Sequence, residues 1–90
     1  MLPPVIVHPR IKSRHPELDD DDIITAWNNT LESTSRIGKP NNETLAIGFD
    51  GKGRLIEMVA ERNSKGMWLI FHSMTPPSKK TIAELRVMWG

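Results

Sequence analysis

Two glycine-containing turns divide the middle of the chain into three apolar runs, and this pattern constrains the fold more than any other feature. The turns are Asp50-Gly51-Lys52-Gly53 and Asn63-Ser64-Lys65-Gly66. They separate apolar runs at residues 44–49, 54–61 and 67–73. Connections this short join antiparallel neighbours. The sequence therefore predicts a three-stranded antiparallel β-meander.

Helices are predicted on both sides of these strands along the chain. Ile23, Trp27 and Leu31 recur every four residues behind a run of four aspartates. This spacing indicates one apolar helix face, and acidic residues favour a helix N-terminus. We therefore expect a helix that starts near the aspartates and runs to about Ser33. Shorter helices are predicted over residues 8–15 and 78–88.

These elements predict an α+β fold in which N-terminal helices and a C-terminal helix pack on a three-stranded antiparallel β-meander. Ninety residues are enough for one hydrophobic core, so residues 1–90 are expected to form a single domain. Residues 1–7 are expected to be an N-terminal arm or a short strand. Residues 34–43, which are polar and contain glycine and proline, are expected to be a flexible loop.

Composition excludes several classes of function. The chain has no cysteine and three histidines, which argues against disulfides and a structural zinc site. Its net charge is only +1. There is no signal-peptide pattern and no apolar stretch long enough to cross a membrane. We expect a cytoplasmic protein that needs no cofactor and no metal.

Basic and titratable side chains stand at the ends of the predicted elements. Cleaving an RNA phosphodiester without a metal requires a base, cations that stabilise the developing phosphorane charge, and an acid for the leaving oxygen. Histidine with clustered arginine and lysine can supply all three. The candidate catalytic residues are Arg54, Glu57 and His72, and the candidate RNA-binding residues are Arg14, His15, Lys79 and Lys80.

Glu57 lies within an apolar run, where an ionised carboxylate needs a partner. One interpretation is a salt bridge from Glu57 to Arg14 or Lys79. Another is that Glu57 and His72 face one cleft, where the carboxylate would orient the imidazole. The periodicity of the strands does not fix their register, so both interpretations stay open.

Three stretches, in this order along the chain, resemble the BrnT-like branch of the RelE/ParE superfamily of bacterial toxins. The first is a basic residue and a histidine before an acidic helix start. The second is a hairpin followed by a Gly-Arg-Leu strand. The third is a strand followed by a basic helix. These stretches are Arg14-His15 with residues 16–23, residues 47–59, and Ile70-Phe71-His72-Ser73-Met74 with Lys79-Lys80.

The resemblance implies the toxin of a type II toxin–antitoxin module, an endoribonuclease that inhibits translation. It also implies a cognate antitoxin as protein partner, RNA as substrate, and an oligomer formed with the antitoxin. By position, Arg14, Arg54 and Lys79 or Lys80 match basic sites of the family, and His72 stands at the end of the third strand.

Two departures from the family pattern favour a second hypothesis. Pro16 stands where a glycine is usual, and Met74 stands where many members have arginine. Together with the low net charge, these departures are compatible with a non-catalytic module that binds RNA or protein with the same fold.

Overall fold

The computed structural model describes residues 5–36 and 43–89, with side chains described as far as Leu85. Within these residues no helix is long and apolar enough to span a membrane. The elements in chain order are β1 (Val5–Val7), α1 (Arg10–Arg14), α2 (Asp20–Asn28), β2 (Thr30–Ser35), β3 (Thr44–Phe49), β4 (Leu55–Arg62), β5 (Trp68–Met74) and α3 (Lys79–Trp89).

The strands of the described residues form one mixed sheet in the order β1-β5-β4-β3-β2. The prediction of a three-stranded antiparallel meander is therefore wrong. The meander itself, β3-β4-β5, is present, but a further strand lies on each side of it. β1 pairs in parallel with β5, from Val5 opposite Trp68 to Val7 opposite Ile70. β2 pairs antiparallel with β3.

The strand β2 occupies residues that we predicted to be helix and loop. The helix α2 ends at Asn28, and Leu31 is exposed in β2 instead of lying on the apolar face of α2. Threonine and serine are common from residue 30 to residue 35, and threonine favours strands while both are weak helix formers. β2 also overlaps the first two residues of the predicted loop 34–43. The centre of that loop, residues 37–42, lies outside the described residues, as do residues 1–4 of the predicted arm.

The sheet has a buried cluster on each face. The helices α1 and α2 cover one face, where Ile23 and Ala26 of α2 pack on Ile56 and Met58 of β4. On the other face, Leu85 of α3 packs on three buried strand residues, Leu45, Ile47 and Val59. Alternate residues of β4 therefore belong to different layers. Glu57 points to the α3 side, and its neighbours Ile56 and Met58 point to the α2 side.

The backbone of α2 lies directly against β3 at Gly48. A Cβ atom at this position would lie 2.1 Å from the carbonyl oxygen of Ala26, which is backbone and cannot rotate away. Gly51, in the turn between β3 and β4, has no heavy atom within 4 Å of the same hypothetical atom. The contact of α2 with the sheet therefore depends on the absence of a side chain at residue 48.

We expect Gly48→Ala to lower the free energy of unfolding by about 2 kcal/mol or more, since α2 must move to admit a methyl group. Gly51→Ala, the matched control, should change it by no more than about 0.5 kcal/mol. Urea denaturation followed by tryptophan fluorescence measures both. Equal effects of the two substitutions would contradict this packing of α2 on β3.

Candidate functional site

Glu57 and His72 meet on the α3 side of the sheet. The Nε2 atom of His72 lies 2.6 Å from the Oε2 atom of Glu57. His72 on β5 pairs with Val59 on β4, so Glu57 is its diagonal neighbour on the same face. The structure thus brings together two of the three predicted catalytic residues, in the arrangement in which the carboxylate orients the imidazole.

A β-bulge puts His72 on this face. From the turn up to Ile70, β5 pairs with β4 in the register that the turn sets, with Trp68 opposite Arg62 and Ile70 opposite Ala60. Between Ala60 and Val59 the register shifts by one residue, and Phe71 is the extra residue on β5. Without this shift His72 would lie opposite Met58, on the face that α1 and α2 cover.

The second oxygen of Glu57 is bound by the start of α3. The backbone N–H of Ser78 donates to Oε1 at 2.9 Å, and the Ser78 hydroxyl donates to the same atom at 3.0 Å. The Ser78 hydroxyl also accepts the backbone N–H of Thr81 at 3.2 Å, which is the bond of an N-cap residue. The anion at the N-terminus of α3 is therefore Glu57 itself, in the position that the helix dipole favours.

These hydrogen bonds determine the charge of Glu57. Burial raises the pKa of this carboxyl, but the hydrogen bonds from His72, Thr81 and Ser78 outweigh burial and lower its pKa from 4.5 to about 2. Glu57 is therefore ionised at neutral pH, and an ionised carboxylate only accepts hydrogen bonds. His72 must then be the donor in its hydrogen bond with Glu57, so the proton of the imidazole lies on Nε2. In the neutral imidazole this leaves the Nδ1 atom of His72 as the free base.

The pair lines a cavity of about 380 Å³, here called the basic cavity. Four of its lining side chains are cations, and Glu57 is its one carboxylate among the described residues. The lining residues are Arg10, Arg14, Arg36, Glu57, Val59, Phe71, His72, Ser78, Lys80 and Thr81.

The cations of the basic cavity differ in what else they bind. Arg36 forms salt bridges with Glu43 at 3.5 Å and with Glu84 at 3.4 Å. In the part of the chain that the structure describes, Arg10, Arg14 and Lys80 form no salt bridge. These three side chains are also exposed. An anion that enters the cavity therefore meets three cations whose charge is not already compensated.

Arg54, the third predicted catalytic residue, lies on the α2 side of the sheet, away from Glu57 and His72. Its guanidinium donates to Asp50 at 2.8 Å, to Asp22 at 3.0 Å and to the backbone carbonyl of Glu17 at 3.0 Å. The hydrogen bond to Asp50 raises the pKa of Arg54. Arg54 thus fastens the β3–β4 turn to the start of α2.

The predicted RNA-binding residues are divided between the basic cavity and its surroundings. Arg14 and Lys80 line the basic cavity. His15 lines a smaller cavity beside it, and its Nδ1 atom is 3.6 Å from Glu17. Lys79 is exposed at the start of α3 and is not among the lining residues of either cavity.

Sequence reasoning missed four polar residues of the site: Arg10, Arg36, Ser78 and Thr81. A signal existed for two of them. Ser78 three residues before Thr81, directly after two prolines, is typical of a helix N-cap. Arg10 and Arg36 reach the cavity from α1 and from the end of β2, and only the sheet order brings those segments to Glu57.

Among the described residues no group of three or more histidine, aspartate or glutamate side chains is placed to hold a metal ion. Comparisons of the chain with protein-family models, with curated proteins and with solved structures find no match. The resemblance to the BrnT-like toxins therefore stays a prediction, and the geometry of the site carries the functional argument.

The lowered pKa of Glu57 predicts a specific loss of stability in acid. Its contribution to stability is fully present above its unfolded-state pKa near 4.5 and is lost as pH falls toward about 2. We expect the free energy of unfolding of the wild type to fall through this window, and Glu57→Gln to fall less steeply. Glu61→Gln, the same chemical change at a half-buried position of β4, should retain the wild-type slope. Denaturant titrations at several pH values measure these slopes, and a wild-type slope in Glu57→Gln would contradict the account.

The position of Arg54 predicts that its removal weakens the fold. We expect Arg54→Ala to lower the midpoint of thermal unfolding, because Asp50 is buried and loses its charged partner. Arg62→Ala removes an exposed arginine that lies over the Trp68 ring and should have a smaller effect. Equal midpoints for Arg54→Ala and the wild type would show that the ion pair does not hold the turn to α2.

Proposed function

We propose that this chain is a metal-independent endoribonuclease that cleaves RNA in the basic cavity. The observation that carries the proposal is the 2.6 Å contact between Glu57 and Nε2 of His72, in the wall of a cavity lined by uncompensated cations. Cleavage by the 2′-hydroxyl requires a general base and cations that stabilise the developing charge, and an oriented imidazole beside cations supplies both.

His72 is the proposed general base. With Nε2 bonded to Glu57, Nδ1 accepts the proton of the ribose 2′-hydroxyl, and the 2′-oxygen then attacks the adjacent phosphorus. Glu57 stabilises the imidazolium that forms, because the carboxylate stays ionised. Glu57 is a positioning residue in this scheme, since it acts through His72.

The arginines stabilise the charge that develops on the phosphate. Arg10 and Arg14 lie four residues apart, so they extend from the same face of α1. Guanidinium groups bind phosphate oxygens in a bidentate geometry. We place the non-bridging oxygens of the scissile phosphate against Arg10 and Arg14.

Lys80 is the proposed general acid. As the bond from the 2′-oxygen to phosphorus forms, the bond from phosphorus to the 5′-oxygen breaks, and the ammonium of Lys80 donates a proton to that leaving oxygen. The products are a 2′,3′-cyclic phosphate and a 5′-hydroxyl. Exchange with solvent then returns the proton from His72 and reprotonates Lys80, so the step balances without a further reactant.

The family resemblance extends this proposal to the cell. An endoribonuclease of the BrnT-like kind would act on messenger RNA in the cytoplasm, inhibit translation and be held inactive by a cognate antitoxin. Induced expression tests this extension: the wild type should arrest growth, and His72→Ala at equal protein level should not. Arrest by both proteins would show that the toxicity does not come from RNA cleavage at His72.

Cleavage itself is tested with purified protein, a fluorescent single-stranded RNA and a chelator of divalent metals. We expect His72→Ala to lower the rate by about 10²-fold to 10⁴-fold, the usual contribution of a general base. His8→Asn is the matched control and should retain the wild-type rate, since His8 lines neither cavity and the asparagine oxygen can still accept the backbone N–H of Arg10 that the His8 ring accepts. Product analysis should find a 2′,3′-cyclic phosphate.

Two results would contradict the proposal. Cleavage that is abolished by the chelator would indicate a metal-dependent reaction. Salt-dependent RNA binding by folded wild type without cleavage would favour the alternative, a binding module with the same fold.

A further inference from the structure

A smaller cavity adjoins the basic cavity and is here called the side cavity. Its volume is about 110 Å³, and it lies between α1 and the end of β5. Arg10, Arg14, Phe71 and His72 line both cavities, so the two are contiguous. The side cavity is lined in addition by Ile11, His15 and Ser73.

Ser73 is the unusual residue of the side cavity. It is 1% exposed, and its Oγ is the one buried side-chain polar atom in the described ranges that has no hydrogen-bond partner. An unpaired buried hydroxyl is destabilising, and native structures satisfy almost all such groups. Because Ser73 is also one of the lining residues of the side cavity, its unpaired hydroxyl is the candidate donor for a ligand there.

The other polar side chains of the side cavity define the charge of that ligand. Arg10 and Arg14 are cations, His15 adds an imidazole, and no carboxylate is among the lining residues. An oxyanion is the group that accepts hydrogen bonds from guanidinium, imidazole and hydroxyl donors together. A cation or an apolar group would leave these donors unpaired.

We infer that the side cavity binds a phosphate group, with the Ser73 hydroxyl and His15 as donors and with Arg10 and Arg14, which line both cavities, shared between this phosphate and the one in the basic cavity. For the biological ligand this inference rests on the proposed function. With the scissile phosphate in the basic cavity, the side cavity takes the next phosphate along the RNA strand. The substrate is then recognised by two consecutive phosphates, one in each cavity.

The role of Ser73 has a signature that a structural role would not produce. Removal of an unpaired buried hydroxyl relieves a penalty in the free protein. In the absence of phosphate, we therefore expect Ser73→Ala to be at least as thermostable as the wild type. When phosphate is added, we expect Ser73→Ala to gain less stability than the wild type gains. Ser13→Ala, at an exposed position of α1, should respond to phosphate as the wild type does.

The first experiment uses inorganic phosphate as the probe, with chloride at equal ionic strength as reference. Isothermal titration calorimetry should show phosphate binding that Ser73→Ala weakens by about tenfold, the usual effect of losing one hydrogen bond to a charged group. Arg14→Gln should weaken it further, and Arg62→Gln should not. In NMR spectra, phosphate should shift the ring signals of His15 and His72 more than those of His8.

Two results would overturn the phosphate site. One is an equal response of the wild type and Ser73→Ala to phosphate. The other is a stabilisation that chloride reproduces. A loss of stability in phosphate-free Ser73→Ala would show that the hydroxyl is structural, which also overturns the inference.

A second experiment tests the identity of the ligand without any cleavage. A 2′-deoxy dinucleotide is not cleaved, because it lacks the attacking hydroxyl. We expect the wild type to bind this dinucleotide more tightly when it carries a terminal phosphate, and Ser73→Ala to lose that preference. The contrary result is a wild type that binds inorganic phosphate and yet binds the dinucleotides with and without a terminal phosphate equally well. That result would overturn the assignment of the side cavity to a phosphate of the RNA substrate. Failure of RNA cleavage, with this preference intact, would instead contradict only the proposed function.

Discussion

The carboxylate of Glu57 joins three elements, and the candidate site depends on it. One oxygen binds His72 on β5, and the other binds Ser78 at the start of α3. A buried carboxylate is destabilising unless hydrogen bonds compensate its charge. Here the compensation comes from the residues that form the site. The hydrogen bonds that stabilise the ionised carboxylate in the sheet therefore also hold the His72 imidazole and the first turn of α3 in place.

The two faces of the sheet divide the ionic interactions into two groups. On the α2 side, Arg54, Asp50 and Asp22 satisfy one another and hold a turn to a helix. On the α3 side, the Glu57–His72 pair lies beside cations that the described residues leave uncompensated. The position of α1, next to the edge of β5 that β1 does not reach, brings Arg10 and Arg14 to this second group. The first group is closed by its own ion pairs, and the second keeps three exposed cations that form no salt bridge among the described residues.

Local patterns in the sequence predicted the local elements. The two turns gave β3, β4 and β5, and the aspartate run marked the start of α2. β1 has three residues and pairs with a strand some sixty residues later, so no local sequence pattern predicts it. β2 follows α2 after one residue, and Leu31 continues the four-residue spacing of the helix. Helical periodicity therefore extended the prediction past the true end of α2.

The site shows the same limit at the level of single residues. Glu57 was a candidate because it lies within an apolar run, and His72 because it stands at a strand end, but alternation along β5 places His72 on the same face as Ile70, away from Glu57. The bulge at Phe71 reverses this, and its position is set by the pairing of two strands. Arg54 was selected because it opens a strand after a turn. Its partner Asp50 lies four residues earlier in that turn, and this spacing is the signal that would have indicated a structural ion pair.

The central claim is that Glu57 holds the proton of His72 on Nε2 and leaves Nδ1 as the base. Long-range ¹H–¹⁵N NMR of the histidine rings, at a pH where the imidazole is neutral, distinguishes the two tautomers directly. The account predicts the Nε2–H tautomer for His72 in the wild type and a loss of that preference in Glu57→Gln. An Nδ1–H tautomer in the folded wild type would contradict it, because the nitrogen available to a substrate would then carry a proton instead of accepting one.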